Sequence, residues 1–426
     1  MIKPRFMGAL IALVAAATAA AAAEAPAWQG VYEGVIGKAH VVAALGPSGS
    51  RYFYAGQAND LGLIVMQAGA RLRFVETLAP NIGDDEVKEH PDLVSGRWSA
   101  TFDNGVLKGV WKDAKGGRSQ AVALTRVSTA DETAANDIYP DQPGDYIRRW
   151  LAAAPALVSG GQEASIGPLA YRVLRDPQFG DALPRLVGAP PDIRLDRVNA
   201  ALDRLQREFV LNDRWCLQGR RANAARGGAE ALKKEEQAAA VDAERGEPTA
   251  RPIYATDRLL TLEETRETYC GGAHPNLEVD DFAFDLGDGA QLTGFNDAKG
   301  DLDPSRLGRA FDFADPKKQA AFDALWMGLL RAAIKAQAAA KPDDEAGCGQ
   351  IILERLDQDG AAIAKRIYPT AKGLAFRIVD FPRAVENVCL GDDGSPNPIV
   401  VPYAELKPFL KANQRLLPAS GPPSPK

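Results

Sequence analysis

The sequence predicts an α+β protein, with an N-terminal antiparallel all-β meander or small barrel followed by a larger α+β domain of antiparallel sheet and packed helices. Three observations predict this. Eight short runs rich in aromatic and β-branched residues precede residue 128: GVYEGVIG, AHVVAAL, RYFYAG, LGLIVM, RLRFVETL, SGRWSATF, VLKGVWK and AVALTRV. Asn104-Gly105 lies between two of them, the pairing that favours a two-residue hairpin turn. Beyond them, Leu195, Val198, Leu202, Leu205 and Phe209 recur at spacings of three and four, one buried face of a helix, before strand-like runs return.

The chain opens on a segment that reads as a secretory signal, residues 1–25. Lys3 and Arg5 give it a positive start, residues 8–23 are apolar and alanine-rich, and Ala23-Glu24-Ala25 is a small-x-small cleavage site. Removing Lys3, Arg5 and Glu24 leaves 48 basic and 55 acidic residues, a net charge of −7 against −6 for the whole chain. That balance argues against a nucleic-acid binder, which needs a basic face for phosphates. The expected location is the periplasm or the exterior, with no membrane span after cleavage. About 400 residues remain, enough for two ordinary domains.

The first domain spans 28–127. The G-x-Y/W pattern of GVYEG, GRWSA and GVWKD places aromatics on one sheet face, a packed interior rather than a ligand cavity. Residues 128–144 are polar and acidic with Pro140 and Pro143, a linker. The second domain spans 145–413. A short helix is expected at 145–154, and the long helix after Pro191-Asp192 carries Cys216. Residues 220–245 are alanine-rich and charged, either a solvated helix or a partly ordered insertion. RPIYAT, RLLTLEE and TRETYC read as strands, and Phe322, Leu325, Trp326, Leu329, Leu330, Ala333 and Ile334 form a second helical stripe. QIILERL, AKRIYPT, GLAFRIV and PIVVPYAEL read as strands, the last leading into a short helix at 404–410. Residues 414–426 end in a proline-rich polar stretch and are expected to be a disordered tail.

Cys216, Cys270, Cys348 and Cys389 make an even count in an exported chain, hence two disulfides with three possible connectivities. Cys216–Cys270 and Cys348–Cys389 are favoured because each joins neighbouring elements. The spacings fit neither a CxxC redox motif nor a zinc site. GxSxG, HExxH, P-loop and Rossmann signatures are absent, so no cofactor and no metal is expected.

The chain holds three histidines. His40 falls in a β segment and His90 in an acidic loop. His274 follows Gly271-Gly272-Ala273 and precedes Pro275, a turn whose glycines permit unusual backbone angles. There it serves as a structural hydrogen-bonder, or as a general base oriented by Asp280, Asp281 or Asp285. Tyr269, His274 and Asn276 are the candidate binding residues. The pairs Asp280-Asp281, Asp343-Asp344 and Asp392-Asp393 are read as solvated loops, since neighbours on a strand point to opposite faces.

The stretches YCGGAHPN (269–276) and FDLGDG (284–289) carry a family resemblance, supported by TAKGL (370–374) and PYAELK (402–407). Together they resemble a secreted bacterial domain of unknown function, found in the extracytoplasmic part of lysozyme-sensing anti-sigma factors and beside the catalytic domain of some secreted polysaccharide deacetylases. The match spans 167–410, with 220–245 as an insertion. DFPRAVENVCLGDDG, which holds Cys389, replaces the family's tyrosine- and glycine-rich stretch. Neither a sigma-binding segment nor the paired metal histidines of a deacetylase are seen. The resemblance implies an exported envelope binding or sensing module whose partner is a lysozyme-like enzyme or a peptidoglycan fragment. The alternative is an envelope hydrolase of glycans or peptides, with His274 as general base.

Overall fold

The computed structural model describes residues 26–46, 49–57, 59–68, 71–129, 144–245, 250–268, 270, 276–292, 307–340, 348–363, 365–378 and 398–418. Eight antiparallel strands close into a barrel: β1 Gly30–Ile36, β2 Ala39–Leu45, β3 Ser50–Tyr54, β4 Leu61–Gln67, β5 Arg71–Thr77, β6 Val94–Asp103, β7 Val106–Asp113 and β8 Ser119–Ser128. Each strand pairs with the next, and β1 pairs with β8, so no sheet edge is left open. Asn104-Gly105 joins β6 to β7 with φ of 48° and 80°, the left-handed pair that a type I′ hairpin needs.

Alternate residues point inward and form the barrel core. Trp28, Tyr32, Tyr52, Leu72, Phe74 and Trp98 are all buried there. Their rings pack edge-on, as in Trp28 against Phe74 at 6.3 Å and Tyr52 against Trp98 at 5.1 Å. One acid shares this interior. Glu76 accepts from the Tyr52 hydroxyl at 2.8 Å, from Ser95 at 2.8 Å, and from the indoles of Trp98 at 2.8 Å and Trp111 at 2.6 Å. Four donors converge on one carboxylate, which answers the cost of taking it out of water.

The acidic stretch DDEVKE forms a helix, α1 Asp84–Glu89, where a loop was expected. Asp84, Asp85 and Glu86 fill its first turn, where the helix dipole favours negative charge.

The outer face of the barrel is apolar on one side. Val31, Val42, Ala44 and Phe53 pack against Tyr146, Ile147 and Trp150 of α2 Gly144–Ala153, and against Val210 and Leu211 of α3 Leu195–Ala225. A charged clasp lies beside this contact. Arg214 of α3 and Asp60 are both fully buried and meet at 2.6 Å. The Arg214 guanidinium lies 4.4 Å over the Trp150 ring, and the Gln218 amide donates to Asp60 at 3.1 Å. Arg221 donates to the backbone carbonyls of Asp60 and Leu78 at 2.9 and 2.6 Å.

The predicted stripe on α3 is real: Val198, Leu202, Leu205 and Phe209 are buried and Leu195 is partly so. The helix runs on to Ala225, and α4 Ala229–Arg245 folds back along it through Arg220–Glu235 and Arg221–Glu236 ion pairs. The charged alanine-rich stretch is thus helical. Among the described residues, three small antiparallel sheets follow the barrel. The first joins β9 Val158–Ser159, β10 Ala164–Ile166, β11 Leu169–Arg175 and β12 Ala182–Gly188. The second joins β13 Ala250–Ala255, β14 Leu259–Thr268 and β15 Asn276–Asp285, and the third β16 Lys365–Pro369, β17 Gly373–Ile378 and β18 Ile399–Pro402. RLLTLEE and TRETYC therefore run together into one strand, β14.

Alternation along β14 and β15 splits their side chains between two cores. Leu260, Leu262, Phe282 and Phe284 face α3, whereas Leu259 and Ala283 join the core of the third sheet. That core also takes Phe322, Trp326, Leu330 and Ile334 of α5 Pro316–Ala340, the second predicted stripe. QIILERL belongs to a helix, α6 Cys348–Asp359, not to a strand. Ile352 and Leu356, four residues apart, are its buried face, and that spacing prevails over the apolar triplet that looks strand-like. The expected short helix is one turn at Tyr403–Leu406 followed by a 3-10 turn at Lys407–Phe409. Leu416 and Leu417, inside the stretch 414–426 expected to be a disordered tail, are instead buried in the same core.

Candidate functional site

The two stretches that bear the resemblance most heavily sit at opposite ends of one strand. YCGGAHPN leads into β15 at Asn276, which pairs with Thr268 of β14. FDLGDG leaves β15 at Asp285. Cys270, in the connection between β14 and β15, is disulfide-bonded to Cys216 of α3, 54 residues away. This is the first of the two expected bridges. Cys389 lies outside the described residues, and Cys348 is placed only as the first residue of α6.

At the far end of β15 the motif folds into a tight turn. The Asp285 carboxylate accepts the Gly287 N–H at 2.7 Å, and the Gly289 N–H returns to the Asp285 carbonyl at 2.8 Å. Gly289 has φ of +74°, and a Cβ there would lie 2.6 Å from the Arg197 backbone, so only glycine fits. The turn borders a cavity of about 260 Å³ lined by Arg258, Asp285, Arg309, Ala310, Gln414, Arg415 and Leu416. Arg258 comes from the β13–β14 turn, where Thr256 Oγ1 accepts the N–H groups of Arg258 and Leu259, each at 3.0 Å. The Arg258 carbonyl accepts the Leu286 N–H at 2.8 Å. Arg309 comes from the 3-10 turn Leu307–Ala310 and is ion-paired with Asp285, with Asp288 at 3.5 Å. Arg415 is exposed, and follows Gln414, whose side chain accepts the Leu417 N–H at 2.9 Å.

A second polar constellation lies midway along the hairpin. Asp281 of β15 and Glu263 of β14 are cross-strand partners, and Arg377 of β17 reaches both, at 2.9 and 3.4 Å. Arg377 also donates to the Tyr368 hydroxyl at 3.0 Å. Burial pushes the Asp281 carboxyl up to about 7, with Arg377 pulling it back down and Glu263 adding to the rise. Burial works against the Arg377 charge, yet Asp281 holds it above its ordinary range. The reading of Asp280-Asp281 as a solvated loop is therefore corrected. Both lie in β15, Asp281 is 1% exposed, and Asp280 pairs with Arg366 at 2.5 Å. Opposite charges from β16 and β17, remote in sequence, let the pair leave water.

Tyr269 and His274 lie outside the described residues, and so do Asp343-Asp344 and Asp392-Asp393. Asn276 is placed by its backbone only. Of the three acids weighed as partners for His274, Asp280 and Asp281 serve Arg366 and Arg377, and Asp285 serves Arg309. His40 stands on β2, 3.0 Å from Glu33, and His90 caps α1. Among the described residues no group of three or more His, Cys, Asp or Glu could hold a metal ion. Among the described residues no helix is long and apolar enough to cross a membrane.

Sequence reasoning missed the arginines of the cavity. They are scattered through three segments with no shared motif, and only Asp285, inside FDLGDG, marked the place. No protein-family model matches the chain, and no curated protein matches it.

Proposed function

We propose that this is an exported cell-envelope binding or sensing protein whose partner is a lysozyme-like enzyme or a peptidoglycan fragment. The observation that supports the reading is the way the resemblance-bearing stretches combine. YCGGAHPN and FDLGDG bracket one strand, and a disulfide fixes the first of them to α3. TAKGL and PYAELK meet through the Tyr403 hydroxyl, which donates to the Thr370 carbonyl at 2.9 Å. The Thr261 hydroxyl of β14 donates to the Pro369 carbonyl at 2.9 Å, tying the hairpin to that pair. The described residues of these motifs, drawn from 270–289 and from 370–407, thus belong to one braced unit, and a braced scaffold is what holds recognition loops in a fixed geometry.

The experiment is direct. The mature protein is incubated with lysozyme and, separately, with purified sacculi. A stable complex, co-sedimentation or inhibited lysis supports the reading. Failure of all three counts against it.

A further inference from the structure

We propose that the cavity at the FDLGDG turn is an oxyanion-binding site, taking a phosphate group or a closely spaced pair of carboxylates. Charge balance is the first argument. Arg258, Arg309 and Arg415 line the cavity, and the Lys411 amine sits behind it, donating to the Arg309 carbonyl at 2.8 Å. Against these four cations stand Asp285 and Asp288, both on Arg309. Among the described residues, the guanidinium groups of Arg258 and Arg415 have neither a hydrogen-bond acceptor nor an ion-pair partner. Two cationic groups are left over.

Preorganisation is the second argument. Arg309 is oriented by its carboxylates before any ligand arrives. The Arg258 backbone is bonded on both sides of the residue, to Thr256 and to Leu286. The Arg415 backbone is anchored by the buried Leu416 and by the Leu417 N–H donating to the Gln414 side chain, while its own side chain is exposed. Guanidinium groups present rigid planar donor forks that match phosphate and carboxylate oxygens two at a time. The forks of Arg258 and Arg415, beside that of the carboxylate-bound Arg309, border about 260 Å³, room for a compact anion. Water reaches the site, since Arg309 keeps 32% of its side chain exposed, so the affinity falls in the micromolar to millimolar range expected of charge-assisted contacts in high dielectric.

The inference stands on the cavity and not on the envelope reading. A chain that ignores both lysozyme and sacculi would still be expected to take the anion. The test is isothermal titration of the full chain at pH 7 and constant ionic strength, with sodium phosphate in one arm and sodium succinate in the other. The expected result is saturable one-to-one binding in at least one arm. Tighter binding of phosphate assigns a phosphoryl ligand, and tighter binding of succinate assigns paired carboxylates. The variant Arg258→Ala/Arg415→Ala removes no ion pair or side-chain hydrogen bond among the described residues and should fold as the parent does. It loses both unpaired guanidinium groups and is expected to bind at least about tenfold more weakly. Circular dichroism checks that its fold is unchanged. Two results would overturn the proposal: no saturable heat from either anion up to about 10 mM, a concentration above which only very weak sites fill, or equal binding by parent and variant.

Discussion

Asp60→Ala is the most demanding perturbation of the join between the barrel and the rest of the molecule. It removes the carboxylate from a pair in which both side chains are fully buried, and it leaves the Arg214 guanidinium enclosed between α3, the Trp150 ring and the barrel wall. An ion pair of this kind adds little net stability over an apolar equivalent, but removing one member of a buried pair costs about 3–5 kcal/mol. The Gln218 amide also loses its acceptor, a further ~1 kcal/mol. At about 2–4 °C per kcal/mol the melting temperature should drop by roughly 8–24 °C. Arg214→Met removes the buried charge while keeping an apolar chain over Trp150. The double variant Asp60→Ala/Arg214→Met should therefore recover more than half of the loss. The assay is thermal unfolding followed by far-ultraviolet circular dichroism at pH 7, read as a double-mutant cycle. A drop under about 2 °C for Asp60→Ala, or a double variant no better than the single, would mean that the charge is not sealed in.

Other predictions follow from the second domain. The raised Asp281 carboxyl stabilises the fold most below its unfolded value of 3.8, and that contribution is lost as pH rises through about 7. The shift of roughly three pH units sets an upper figure of about 4 kcal/mol. The stability of the parent relative to Asp281→Asn should accordingly fall between pH 4.5 and 8, and a difference independent of pH would contradict it. Breaking the Cys216–Cys270 bridge opens a loop of 54 residues, which should cost about 4 kcal/mol in the chain-entropy model. Denaturant midpoints of the Cys216→Ser/Cys270→Ser variant check this, and peptide mapping under non-reducing conditions should recover Cys216 joined to Cys270.

Features set by local chemistry were legible in the sequence. The Asn104-Gly105 turn was readable because two residues alone dictate the backbone angles. The faces of α3 and α5 were readable because burial repeats every three or four residues along one element. The closure of the barrel was only half visible, since pairing of β1 with β8 is a contact between the two ends of the meander. Asp281 shows where local reading stops. Two adjacent aspartates look solvated until Arg366 and Arg377, supplied by strands far along the chain, neutralise them. The α6 helix shows a different failure: an Ile-Ile-Leu run imitates a strand over three residues, and only its continuation to Leu356 discloses the helical spacing. The cavity was hidden for the first reason, because its three arginines come from a hairpin turn, a 3-10 turn and the C-terminal segment.

The proposed envelope-binding role of the braced hairpin is decided by co-sedimentation of residues 26–426 with purified sacculi, paired with gel filtration in the presence of lysozyme. A binding protein of this kind pellets with sacculi or co-elutes with lysozyme. A chain that remains in the supernatant and elutes alone would contradict it.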